Sequence, residues 1–175
     1  MRRTVSSDSA AAPGGPYSPA VVSGGFAFIS GCTPHKPGPA KELVTSSVRD
    51  QVVQAMENLK ALAEAAGTNL SRAVRATVYL TSMDHFDTMN EVFAEYFGAA
   101  PPARTTVPVA LRGFDVEIDA IVALPDLTDL TDLADLAELG ALTSQPGASG
   151  VTGPANADRA GDTSRAADLS KSAEN

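Results

Sequence analysis

The sequence predicts an α+β domain in which two helices cover one face of a mixed β-sheet, in the order ββαβαββ. Three observations carry that prediction. Residues 102–124 alternate apolar and polar side chains with period two, the mark of strands with one face on a core. Two upstream stretches, 47–67 and 84–98, place apolar residues at helical spacing between a capping side chain and a closing glycine. After Pro125 both patterns stop.

The elements follow in order. Residues 1–12 are rich in Ser and Ala and are expected as a flexible arm. GPYSPAV (15–21) and FAFISG (26–31) are strand candidates, with Ser23-Gly24-Gly25 as the hairpin turn between them. Three prolines and a glycine in 34–40 make a loop. Ser47, with Asp50 three residues on, resembles a capping box that opens a helix. Val52, Met56, Leu59, Leu62 and Ala66 mark its apolar face, and Gly67 stands at the C-cap position. Val74, Ala76, Val78 and Leu80 alternate against Arg75, Thr77 and Tyr79, a further strand. Asp84 can cap a second helix with Phe86, Met89, Phe93 and Phe97 on one side and Gly98 as its stop.

In the last segment Thr105, Val107, Val109 and Leu111 share one face, and Arg104, Thr106, Pro108 and Ala110 the other. Val116, Ile118, Ala120 and Val122 lie opposite Glu117, Asp119, Ile121 and Ala123. If Arg112-Gly113 is a two-residue turn, the strands pair as a hairpin, Val109 against Val116 and Val107 against Ile118. That register would put Arg104, Thr106, Glu117 and Asp119 on one sheet surface. Ile121, Ala123 and Pro108 suit open water poorly, so the surface reads as a cleft or a subunit interface, with a solvated face as the alternative. Helices on one side leave the other side of the sheet uncovered, which predicts an oligomer.

Residues 125–175 are an acidic, low-complexity tail expected to be largely disordered. Leucines at 127, 130, 133 and 136 recur every three residues, which fits neither a helical stripe nor a strand; a partner-binding helix over 126–140 is the alternative reading. Charge is uneven: 10 Lys+Arg and 12 Asp+Glu in residues 1–124, against 3 and 9 in 125–175. A near-neutral domain without a basic run gives nucleic acid no electrostatic footprint. One cysteine, Cys32, and two histidines exclude an internal disulfide and supply no metal cluster. No stretch suits a membrane span or an apolar leader, so a cytoplasmic protein is expected.

Seven blocks in this chain resemble the Rid family, also called YjgF/YER057c/UK114. They are GPYSPAV, FISGCTP (28–34), AMENLKALAEAAG (55–67), VRATVYLTSMDHF (74–86), MNEVFAEYFG (89–98), PARTTV (102–107) and VEIDAI (116–121). They occur in the family's order and spacing across residues 13–124. The resemblance implies a chorismate-mutase-like fold and a homotrimer with inward-facing sheets and clefts between subunits. It implies hydrolysis of 2-imino and 2-enamino acids, such as 2-aminoacrylate and 2-iminopropionate, to 2-keto acids and ammonia, with no cofactor and no metal. A pathway-specific deaminase or tailoring enzyme, and a non-catalytic ligand-binding or chaperone-like trimer, are the alternatives. The family's ribonuclease label finds little support in a near-neutral domain.

By the same resemblance, Arg104 in PARTTV is the substrate-carboxylate arginine, a role that suits a planar guanidinium fork. Glu117 corresponds to the glutamate that orients the attacking water and takes its proton. Tyr17 in GPY would line the cleft, Ser30 and Asn90 would support the site, and backbone groups around Thr106 would contact the imine. Each has a plainer reading. Arg104 could pair with Asp119 or Glu117, Glu117 could be merely solvated, and Tyr17, Ser30 and Asn90 could make only local hydrogen bonds. The chain departs from the family pattern at Cys32, where Gln is common, at Asp119, where Glu is common, and in a shorter 111–115 loop. These departures suit a different, larger carboxylate substrate.

Overall fold

The structure, a computed structural model, describes residues 1–38 and 40–125. Six strands form one sheet: β1 (Arg3–Val5), β2 (Ala20–Ser23), β3 (Phe26–Cys32), β4 (Ala73–Leu80), β5 (Ala103–Pro108) and β6 (Val116–Ala123). Helices α1 (Val48–Ala66) and α2 (Phe86–Phe97) cover one face. The strand order is β1-β2-β3-β6-β4-β5, with only β4 and β5 parallel, so the class is α+β with a mixed sheet, as expected. Residues 126–175, read from sequence as a disordered tail, lie outside the described residues.

Local signals hold where they are strongest. Gly24 and Gly25 have φ of 59° and 82°, the left-handed pair that a tight β2–β3 hairpin needs. Ser47 Oγ accepts from the Asp50 N–H, and Gly67 closes α1 in a left-handed conformation at φ 90°. The second helix begins differently: Ser82, not Asp84, caps a short 3-10 turn that leads into α2. Between the layers, Val52, Met56 and Leu59 of α1 are buried against Val78, Leu80, Ile118 and Val122 of the sheet.

Two expectations are corrected. Residues 1–12 are not a loose arm. Arg3, Thr4 and Val5 pair with Val22, Val21 and Ala20, Val5 and Ala10 are buried, and the Ala11 N–H donates to Asn58 Oδ1. Ser and Ala gave the segment little propensity, so tertiary contacts decide its conformation. Asn58, only 1% exposed, also donates from Nδ2 to the carbonyls of Thr33 (2.9 Å) and His35 (2.8 Å). It thereby ties the arm and the 33–35 loop to α1. Asn58→Ala would leave three half-buried backbone groups without their Asn58 partner, and is expected to cost about 3 kcal/mol in chemical denaturation.

The larger correction concerns residues 102–124, which do not form a hairpin. β4 lies between β5 and β6, and residues 109–115 form the connection that passes it. Period-two alternation assigns faces within a strand but says nothing of which strand is its neighbour. Here Pro108, which cannot donate to a ladder, sits at the end of a strand on the sheet edge. The connection is anchored by Val109 N–H to Leu80 O and Thr81 N–H to Asp115 O.

Candidate functional site

Inserting β4 moves Arg104 to the other side of the sheet. Along β4, Ala76 pairs with both Arg104 and Ala120, and Val78 with both Thr106 and Ile118. Paired residues share a face, and Ala76, Val78, Ala120 and Ile118 are buried under the helices. Arg104 and Thr106 therefore face the helix layer. Tyr79 pairs with Glu117 and Val107, and Thr77 with Asp119 and Thr105, so Glu117 and Asp119 lie on the uncovered face. The expected single surface carrying Arg104 and Glu117 does not exist within one chain.

The six candidate residues instead form two groups. The first is built on the sheet edge and α2. Phe86, Asn90 and Phe93, at i, i+4 and i+7, line one side of α2 and converge on Arg104. The guanidinium carbon stands 4.7 Å from the Phe93 ring centre and 5.6 Å from that of Phe86. Nη2 donates to Asn90 Oδ1 at 2.6 Å, and Nη1 approaches Met89 Sδ at 3.5 Å. No carboxylate among the described residues pairs with Arg104, which removes the structural-salt-bridge alternative within the chain. Burial pulls its pKa down from 12.5, since no anion offsets the lost hydration. Thr106 Oγ1 nearby on β5 is buried with no hydrogen-bond partner. Two aromatic rings and an amide thus hold a cation whose remaining donors are unused, an arrangement that can take a planar anion.

The second group surrounds β3 and β6. Glu117 is half-buried and makes no hydrogen bond or ion pair among the described residues. Its carboxylate lies over Gly31, where a Cβ would come within 1.8 Å of Oε1. Loss of hydration and the neighbouring Asp119 charge push its pKa up from 4.5. Arg104 of the same chain, on the opposite face, does nothing to lower it. Tyr17 and Ser30 join Gly31 around a cavity of about 30 Å³ beside α1. Both make local bonds: the Tyr17 hydroxyl accepts from the Gly14 N–H at 3.0 Å, and Ser30 Oγ donates to Ser18 O at 2.9 Å. Cys32, buried next to Glu117's strand, has its thiol pushed up to about 12, chiefly by desolvation, so it stays a neutral packing group.

Sequence reasoning brought out Arg104 and Asn90 separately, and the structure joins them. It took Phe86 and Phe93 as core only, although their spacing with Asn90 was the available signal. Gly31 as the seat of Glu117 had no signal beyond its place in the strand. Because a raised carboxyl pKa means the folded chain binds the Glu117 proton more tightly than the unfolded chain, stability falls as pH rises from 4.5 through the raised value. Glu117→Gln is accordingly expected to keep or raise Tm at pH 7 while removing any base at this position. A lower Tm would mean that the carboxylate has a stabilising partner in the assembly.

The chain is similar to known proteins along most of its described length. Residues 7–124 match the family model described as endoribonuclease L-PSP. A RutC family protein of Pyrococcus horikoshii is 45% identical over 123 residues, covering 69% of this chain and 97% of that protein. Reactive Intermediate Deaminase A, chloroplastic, of Arabidopsis thaliana is 36% identical, covering 70% of this chain and 66% of that protein. Among solved structures, Escherichia coli TdcF with bound serine superposes with a TM-score of 0.64 at 33% identity, covering 70% of this chain and 99% of that one.

Proposed function

The chain belongs to the endoribonuclease L-PSP family, which takes in the RutC and Rid proteins, and from that membership we propose that it deaminates reactive 2-imino and 2-enamino acids. The products would be the 2-keto acid and ammonia. The observation that carries the reading is Arg104: an unpaired guanidinium, clamped by Phe86, Phe93 and Asn90, fits the carboxylate of a small 2-imino acid. The name of the Arabidopsis relative and the serine bound to the Escherichia coli relative support a small amino-acid-derived substrate.

The two groups of residues set the assembly. Arg104 and Glu117 lie on opposite faces, and β4 stands between their strands β5 and β6, about 10 Å apart. A site using both must draw them from two subunits. In our reading the chain is a homotrimer in which the Arg104–Asn90 edge of one subunit meets the Glu117–Tyr17 face of the next. Exposed Phe26 and Phe28 on that uncovered face support such burial.

The chemistry then runs on protein groups. Arg104 fixes the substrate carboxylate and so places the C=N carbon. Glu117 orients a water and takes its proton as the oxygen bonds to that carbon, giving a tetrahedral amino alcohol. The proton passes to nitrogen, the C–N bond breaks, ammonia leaves, and the hydroxyl proton is lost to give the keto acid. A carboxyl whose pKa lies above 4.5 is a stronger base when ionised, which suits it to this step. No helix among the described residues is long and apolar enough to cross a membrane, and the sole Cys32 suits a reducing cytoplasm, our proposed setting.

The test is direct. 2-Iminopropionate generated in situ by a serine dehydratase should yield pyruvate and ammonia faster when the protein is present, and with an acid limb set by Glu117. No acceleration by well-folded protein would overturn the deaminase reading.

A further inference from the structure

On the uncovered face Glu117 is one of a line of polar side chains with a defined order. Tyr79 of β4 stands in register with Glu117, and its hydroxyl donates across to Asp119 Oδ2 at 2.9 Å. Asp119 is two residues along β6 from Glu117, so both carboxylates project from the same face about 7 Å apart along the strand. From Tyr79 onward the geometry fixes Asp119 rather than leaving it to swing into solvent. A carboxylate held beside a second, half-buried carboxylate disfavours ionisation of its neighbour.

We propose that Asp119, clamped by Tyr79, is a positioning residue that adds to the effect of burial and raises the pH at which Glu117 gives up its proton. The proposal rests on the deaminase reading for its consequence but not for its geometry. The remaining ionisable groups around Glu117 within one chain can be named; the Arg104 that the shared site would bring from the next subunit is the same in every variant compared below. From β3, Cys32 is a buried neutral thiol. From β4 come Tyr79 itself, neutral, and Arg75 four residues back, whose Nη2 donates to Thr105 Oγ1. Just before β6, Asp115 is taken up by Gln51 and Thr81, with His85 Nε2 3.9 Å from its Oδ1. Asp119 is the anion placed to act. Tyr79 in turn carries the mark of the bond, its pKa raised chiefly by the hydrogen bond to Asp119.

The consequence is kinetic. Without the Asp119 charge Glu117 would be a weaker base ionised at lower pH; with it, the base is stronger and its working range moves up.

The experiment is a titration of Glu117 by ¹³C NMR in the full-length protein with labelled glutamate, the resonance assigned by its loss in Glu117→Gln. Wild type, Asp119→Asn and Asp119→Glu are compared. Asn accepts the Tyr79 bond through its carbonyl and so keeps the fold while removing the charge. The expected result is a Glu117 midpoint that moves to lower pH in Asp119→Asn and is restored upward in Asp119→Glu. The acid limb of imine hydrolysis should move with it, with little change in KM. A midpoint in Asp119→Asn that coincides with wild type would overturn the proposal. The titration needs no turnover, so a protein that titrates as expected but hydrolyses no imine would sink the deaminase reading and leave the Asp119 assignment standing.

Discussion

Arg104→Ala should lower kcat/KM for 2-iminopropionate by about a hundred- to a few thousand-fold. Removing one member of a desolvated charge pair costs about 3–5 kcal/mol, and each 1.36 kcal/mol is a factor of ten. Most of the loss should appear as a raised KM, because the carboxylate is held in the ground state and the transition state alike. Arg104→Lys should not restore activity: an ammonium has no planar fork to match a carboxylate, and it stacks less well between Phe86 and Phe93. The guanidinium also packs on those rings, so a Tm must accompany the kinetics. A folded Arg104→Ala protein with wild-type KM would remove Arg104 from substrate binding.

Gly31→Ala has the second-largest expected effect, and it is the cleaner probe of Glu117. The added methyl would fall within 1.8 Å of Glu117 Oε1 and 2.7–2.9 Å of Cδ and Cγ, so the whole side chain must leave its seat. Gly31 has no left-handed φ, so alanine brings no backbone strain there. Stability should change little, whereas kcat should fall about a hundred-fold or more, the usual contribution of a positioned base. Undiminished kcat in Gly31→Ala would show that the observed seat of Glu117 is not the working one.

The contrast between legible and illegible features has a physical source. Helix ends at Ser47 and Gly67 and the Gly24–Gly25 turn depend on backbone preferences of a few adjacent residues, and these were readable. The inner and outer faces of β6 were also readable, since they depend only on alternation. The neighbours of β5 and β6 were not. Val107 and Ile118 looked like partners because they are close in sequence, yet β4 satisfies both strands and thereby reverses which face Arg104 occupies. The candidate site was named residue by residue through the family resemblance, but its division into two groups needed the sheet order. Gly31 beneath Glu117 and Tyr79 on Asp119 are contacts between strands, and no periodicity within one strand encodes them.

That division is the central claim, and mixing two impaired variants tests it most directly. Arg104→Ala and Glu117→Gln proteins are each purified, unfolded together, and refolded so that subunits exchange, with hybrid formation checked by native mass spectrometry. If each site takes Arg104 from one subunit and Glu117 from another, some sites in hybrid assemblies receive both intact residues. At substrate concentrations well below the raised KM, imine hydrolysis should then return to a sizeable fraction of wild type, although each parent alone is strongly impaired. Hybrids that form and stay as impaired as their parents would contradict a site shared between subunits.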